Sequence, residues 1–212
     1  MNKATKFITV LAATLLLVSA FGCTGGGKVK TWSTPPAMQI DVTKKYTAVF
    51  DTALGSFEIE LLAAESPNTV NNFVFLARQG FYNGTVFHRI LKDFVIQGGD
   101  PGNGNGGLGT GDPGYKFDDE LPVKHSYTEG IIAMANSGEN SNGSQFFICV
   151  GYRAVSLDST PNFTQFGRVS SGMDIVLKLA SVPVVYTYIN GQLELSKPVN
   201  PPKINKITIV ES

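Results

Sequence analysis

The 212-residue chain predicts a mainly β domain, a closed barrel with capping helices, and three observations carry that expectation. Short runs rich in β-branched and aromatic residues recur along the chain, as they do in barrels built from many short strands. Only two segments have helical spacing. No internal repeat is visible, so a solenoid or propeller is not expected.

The elements follow in order. In GSFEIEL, apolar Phe57, Ile59 and Leu61 alternate with polar Ser56, Glu58 and Glu60, the period of two that marks a half-buried strand. Ser66-Pro67 then supplies a helix N-cap and a proline at the first helical position. Val70, Phe73, Val74 and Ala77 follow at i, i+3, i+4 and i+7, and Gly80 ends the helix. Further strand-like runs are VFHRI, FVIQG, GIIAMA, QFFICV, FGRV and INKITIV, with a second short helix in GMDIVLKLA.

The first 22 residues read as a lipoprotein-type signal. Lys3 and Lys6 precede an apolar run from Phe7 to Val18, about a dozen residues and too short to span a bilayer of roughly 30 Å as a helix. Ala20-Phe21-Gly22-Cys23 resembles the lipobox of bacterial lipoproteins, with Ala20 where Leu is commoner, which makes Cys23 the expected site of lipidation. An ordinary cleaved signal with an incidental Cys23 is the alternative. Residues 23–45, with Gly25 to Gly27 and Pro35-Pro36, read as a flexible tether, and Trp32 as a residue for the membrane interface. The domain proper is expected over 46–212.

Composition narrows the function. With 42% hydrophobic residues the chain can build a core, and its formal net charge is zero. Two of the 17 basic residues lie in the leader, which leaves 15 basic groups against 17 acidic ones. A near-neutral domain without basic runs has no footprint for nucleic acid. Cys23 and Cys149 are the only cysteines, and Cys149 in FFICV reads as a small buried thiol. The glycine-rich stretch from Gly98 to Gly114 lacks the Gly-Lys-Ser/Thr of a phosphate loop and reads as a surface loop with tight turns.

Chemistry concentrates in FHRILKDFVIQGGD (Phe87 to Asp100), MANSG (Met134 to Gly138) and GSQFFIC (Gly143 to Cys149). Each sets amide or small polar groups in apolar surroundings. These segments offer no nucleophile–base pair, metal cluster or carboxylate pair, so neither metal nor cofactor is expected. Arginine stays protonated and can donate hydrogen bonds but cannot act as a base. The residues point to a pocket for an uncharged amide. On their own they leave Arg89 equally open to two roles, a catalytic donor or a buried ion-pair partner. His88, adjacent to Arg89 on a strand, should point to the other face and has a structural role. His125 reads as a solvated loop residue.

In order and spacing, FHRI, FVIQGGD, MANSG and GSQFFI resemble the cyclophilin family of peptidyl-prolyl cis–trans isomerases, and SPNTVNNFVFLARQGFYNGTVFHRI is similar to its short bacterial members. The similarity runs from about Tyr46 to Val210. It implies an eight-stranded antiparallel barrel with a helix over each open end. It also implies a proline-containing, extended polypeptide as substrate, no cofactor, and a monomer acting on exported proteins at a bacterial cell envelope.

By the resemblance, Arg89 and Gln97 are the catalytic pair. Phe94, Val95, Phe147 and Leu157 form the pocket for the proline ring, and Phe163 completes its wall. Ala135, Asn136, Ser137 and Gln145 hold the substrate chain, and Gly106 lines the cleft. Many eukaryotic relatives carry a Trp just before the Leu-Asp pair; here the chain reads Ala154-Val155-Ser156-Leu157-Asp158.

Overall fold

The computed structural model describes residues 30–102 and 109–212. The expected signal peptide, Cys23 and Gly106 therefore lie outside the described residues. Strands β1 (Tyr46–Thr52) and β2 (Gly55–Leu61) form a hairpin and lead into helix α1 (Pro67–Arg78). Strands β3 (Arg89–Leu91), β4 (Val95–Gly98), β5 (Ile131–Met134) and β6 (Phe146–Cys149) follow, then a 3₁₀ helix (Tyr152–Ser159), β7 (Gln165–Ser171) and α2 (Met173–Ala180). A hairpin of β8 (Val184–Ile189) and β9 (Gln192–Pro198) precedes the last strand, β10 (Ile204–Glu211). The alternation read in β2 is obeyed, with Phe57, Ile59 and Leu61 buried.

Eight strands form one antiparallel sheet in the order β10-β1-β2-β7-β5-β6-β4-β3. The expected closed barrel is corrected here: the sheet curls into a half-barrel, and no ladder joins its edge strands β3 and β10. Their approaches meet instead at an isolated bridge, Val86 to Lys203, with bonds from Gly84 N to Ile204 O (2.8 Å) and Phe87 N to Pro202 O (2.9 Å). β3 has only three residues, too short to carry the pairing through. Among the described residues the two expected α-helices are present, and the 3₁₀ helix makes a third helical element.

Inside the curl lies an aromatic core. Phe50 stacks on Phe57 at 4.6 Å between ring centroids, and Phe146 stands edge-on to Phe50 and Phe73 at 5.8 and 6.0 Å. Offset and edge-on arrangements are those that the ring quadrupole favours. Among the described residues, no helix is long and apolar enough to cross a membrane.

Two expectations change at the N-terminal side. Residues 30–45 do not behave as a free tether. Trp32 packs edge-on to Phe75 at 5.1 Å and against Phe81 at 5.9 Å, and its backbone N–H donates to Pro113 O. Asn71 of α1 donates to Pro36 O and Ala37 O and accepts from Gln39 N, while Ile40 is buried. The packed domain thus includes residues 32–40, ahead of the expected boundary at 46, and Trp32 is held by α1 and its C-terminal turn.

Ser66, expected to cap α1 through its side chain, instead donates its hydroxyl to Gln165 O at 2.6 Å. The cap comes from Glu120. Its carboxylate accepts from Asn68 N (3.0 Å) and Thr69 N (2.8 Å) and from both of their side chains. An acidic group there satisfies orphan N–H donors and meets the positive end of the helix dipole. Replacing Glu120 by Ala should lower stability by about 0.5–2 kcal/mol, the range for losing an N-cap. Thermal or urea unfolding of the purified protein measures it, and an unchanged midpoint would contradict the capping role.

Candidate active site

The cleft grows from one cross-strand row. In the register of the sheet Arg89 faces Gln97, Gln97 faces Phe147, and Phe147 faces Ala133. Directly opposed residues share a face, so four strands place these side chains side by side. Arg89 is part-buried, with a quarter of its side chain exposed. Gln97 is half-buried and Phe147 is buried.

Period two sorts the remaining side chains. Ile96, Ile132, Phe146 and Ile148 point into the aromatic core. Their neighbours Val95, Ile131, Ala133, Phe147 and Cys149 belong to a second apolar cluster on the opposite face, with Tyr127 and Ala154. Phe94, Leu157, Phe163 and Ala135 pack against that cluster. Phe163 stands edge-on to Phe147 at 5.4 Å. It is fixed there because Tyr127 Oη donates to Phe163 O at 2.6 Å and accepts from Phe163 N at 3.2 Å. The residues expected to wall a proline pocket are thus brought together.

Beside this apolar wall runs a chain of polar contacts. Arg89 Nη1 donates to Gln97 Oε1 (3.2 Å), and Gln97 Nε2 donates to Gln145 Oε1 (3.0 Å). Gln145 Nε2 in turn donates to Gly109 O (3.0 Å) and Gly111 O (3.1 Å). The glycine-rich segment is pinned at this end. Asp100, buried, accepts from the N–H groups of Gly102, Gly109 and Gly111. Gly99 sits at φ +81°, and a Cβ there would come within 2.5 Å of Ser144 O, so the close approach of the two segments requires glycine. Asn136 donates from Nδ2 to Asn162 O at 2.9 Å, and Ser137 is exposed on the rim.

The ion pair left open by the sequence is present as well. Glu194 of β9 accepts from Arg89 Nε at 2.8 Å and from Nη2 at 2.7 Å. That bond to Arg89 holds the Glu194 carboxyl below its ordinary value. Sequence reading missed both Glu194 and its hairpin. The signal was there, since Asn190-Gly191 between VVYTYI and QLELSKP is a strong two-residue hairpin cue. Ile189 pairs with Gln192, and Asn190 and Gly191 have φ of 49° and 78°, the two positive values of a type I′ turn. The hairpin tip (Tyr188, Ile189, Asn190) faces Gly109–Gly111 and Ser137 across a cleft of about 640 Å³ that Arg89, Gln97 and Gln145 also line.

The other titratable groups stand aside from chemistry. Burial pushes the Cys149 thiol up to about 12 and, as the main cause, the Tyr127 hydroxyl up to about 12. His88 is buried next to Arg89, and desolvation lowers its pKa. Although expected to point to the other face, it lines the same cleft as Arg89. His125 is less free than its loop position implied, with Nε2 3.1 Å from Glu65 Oε2. Among the described residues, no cluster of His, Cys, Asp and Glu could hold a metal. Where relatives carry an entrance Trp, Val155 and Ser156 are exposed.

Comparison with known proteins agrees with this geometry. Residues 47–209 match the model of the family described as cyclophilin type peptidyl-prolyl cis-trans isomerase. The peptidyl-prolyl cis-trans isomerase-like 1 of Aspergillus oryzae is 42% identical over 167 residues, covering 76% of this chain and 94% of that protein. The isomerase cypE of Dictyostelium discoideum is 43% identical over 164 residues, covering 76% and 96%. The crystal structure of a Cryptosporidium parvum cyclophilin superposes with a TM-score of 0.67 at 30% identity, covering 79% of this chain and 99% of that one. The same protein has also been solved in the presence of the dipeptide Ala-Pro, with a TM-score of 0.66 to this chain. With the row of Arg89, Gln97 and Phe147 and its second apolar cluster already in place, the chain belongs to the cyclophilin-type peptidyl-prolyl cis-trans isomerases.

Proposed function

We propose that Arg89 is the group that accelerates rotation about X–Pro bonds, and that the enzyme works on exported polypeptides while anchored to a membrane through Cys23. Rotation about a peptide C–N bond costs roughly 18–20 kcal/mol because it breaks amide resonance. In the twisted transition state the prolyl nitrogen regains a lone pair. A donor aimed at that nitrogen binds the twisted form better than either planar form, which is what catalysis requires. The bond also becomes less polar, which favours transfer from water to an apolar wall.

One observation carries the reading. A guanidinium has five N–H groups. Described residues engage three of those on Arg89, through Gln97 and Glu194, which leaves two for a substrate next to Phe147. Phe94, Val95, Phe147, Leu157 and Phe163 would hold the proline ring. Ala135, Asn136, Ser137 and Gln145 would hold the chain before it. No covalent intermediate and no cofactor enters. The structure of the Cryptosporidium relative in the presence of the dipeptide Ala-Pro supports a proline-containing ligand for this cleft. The enzyme acts as a monomer in this account, and its clients are unfolded or extended chains.

Arg89→Ala should remove most turnover and leave the fold intact, because the lost interaction is made chiefly in the transition state. Phe147→Ala deletes pocket wall and buried apolar area together, and should lower both activity and melting temperature. An isomerisation assay on proline peptides decides between them; a wild-type rate for Arg89→Ala would overturn the mechanism.

Turnover should also be flat from about pH 7 to pH 9, above the lowered range of His88, since an arginine does not titrate there. Glu194 is held below its ordinary value, so its ion pair persists above the usual carboxylate range and is lost only as the pH falls through that lowered value. A bell-shaped profile within this window would implicate an acid–base pair and contradict the account.

The anchor rests on the leader and the Cys23 context. Two acyl chains suffice for stable attachment, whereas one is marginal. Cys23→Ser should leave the protein unprocessed or soluble, with the domain's activity unchanged. Membrane fractionation with mass analysis of the mature N-terminus checks it. A wild-type N-terminus elsewhere than Cys23, or a Cys23 without lipid mass, would rule the anchor out.

A further inference from the structure

The catalytic arginine is gripped from two sides, and the second grip comes from the β8–β9 hairpin. We propose that Glu194 is a positioning residue for the isomerase reaction: carried on β9 to the edge of β3, it fixes the plane of the Arg89 guanidinium so that the remaining N–H groups meet the twisted prolyl amide. The inference rests on the reading of Arg89 as the donor.

The geometry is that of a fork. Glu194 Oε1 takes Nε and Oε2 takes Nη2, at 2.8 and 2.7 Å, while Gln97 takes Nη1 from the adjacent strand. Paired bonds from a carboxylate to an arginine constrain orientation as well as distance. Gln97 alone offers a single 3.2 Å contact and leaves the long side chain free to rotate about it. With Glu194 in place the guanidinium has contacts along two of its edges.

The pair is also sheltered. The Arg89 and Glu194 side chains are 25% and 24% exposed, so water competes for them less than at an open surface. The carboxylate is itself held at both ends of its strand. The type I′ turn at Asn190-Gly191 sets the register that places Glu194 opposite Thr187, and Val199 N donates to Pro183 O (2.9 Å) where the hairpin closes. Ser196 and Pro198, later in β9, are themselves buried. Glu194 thereby reaches Arg89 from 105 residues away on a paired strand.

A proton-transfer role is not required of the carboxylate, since rotation of the amide moves no proton. Its contribution is orientation, and the expected signature is a loss in kcat with little change in KM. Glu194→Ala should lower kcat about tenfold with KM within about twofold of wild type. Glu194→Gln keeps the length and one acceptor and should fall between the two. In the Arg89→Ala background, Glu194→Ala should cost nothing further, because residues acting through one another are non-additive. The side-chain Nε–H resonance of Arg89, identified by its absence in Arg89→Ala, should be slow to exchange with water in wild type and fast in Glu194→Ala.

Wild type and the four variants, assayed as purified full chains with a proline peptide and followed by nitrogen-15 NMR, settle the matter. Wild-type or higher turnover in Glu194→Ala overturns the proposal while leaving Arg89 as the donor. So does an equal loss from Glu194→Ala with and without Arg89. Full activity in Arg89→Ala overturns the underlying reading of the donor and the proposal with it. Should Glu194→Ala melt early, the more conservative Glu194→Gln, whose fold is checked by thermal melting, carries the same test.

Discussion

In β4, β5 and β6, neighbouring side chains belong to different apolar clusters, and the rest of the architecture depends on that alternation. Phe146 and Ile148 fill the curl of the sheet, while Phe147 and Cys149 face the opposite way. A slip of one residue in any of these strands would send the cleft residues into the core and core residues into the cleft. The chain resists such a slip because both faces are apolar and shaped: edge-on rings surround Phe146 on one side, and Phe163 meets Phe147 on the other. The same register that holds the core therefore sets the positions of Arg89 and Gln97.

On that foundation the polar groups form a continuous line from β9 to the glycine-rich segment, through Glu194, Arg89, Gln97, Gln145 and the carbonyls of Gly109 and Gly111. Each link leaves its neighbour less freedom. The side chains are half-buried, where an unmet donor or acceptor is costly, so the line rigidifies the cleft floor before any substrate arrives. The Arg89–Glu194 pair also places a carboxylate beside the charge of the arginine, which suits a cleft for a neutral amide. The ion-pair and catalytic readings of Arg89 are compatible in this arrangement.

Much of this was legible in the sequence because local patterns carried it. The alternation of GSFEIEL gave β2 its boundaries and its buried face. The spacing of Val70, Phe73, Val74 and Ala77 gave α1. The motifs around Arg89, Phe147 and Asn136 gave the cleft through their resemblance to a family. What escaped were contacts between segments far apart in the chain. Glu120 caps α1 from about 50 residues away, and Glu194 reaches Arg89 from more than 100; Asn190-Gly191 marks the hairpin of Glu194, but neither contact can be read from its own neighbourhood. Residues 30–45 misled for a related reason. Trp32 and Ile40 are single apolar anchors in a polar, proline-containing stretch, and two anchors eight residues apart give no periodicity to read.

The central claim is that the sheet register presents the Arg89 donor and the Phe147 wall to the same prolyl amide. A crystal structure of this protein with a short peptide containing X–Pro tests it most directly. The account predicts the proline ring against Phe147 and Phe163, an Arg89 N–H within hydrogen-bond reach of the prolyl nitrogen or its adjoining carbonyl, and Glu194 still paired to the guanidinium. A proline bound away from Phe147, or an Arg89 side chain turned out of the cleft with its bond to Gln97 broken, would contradict it.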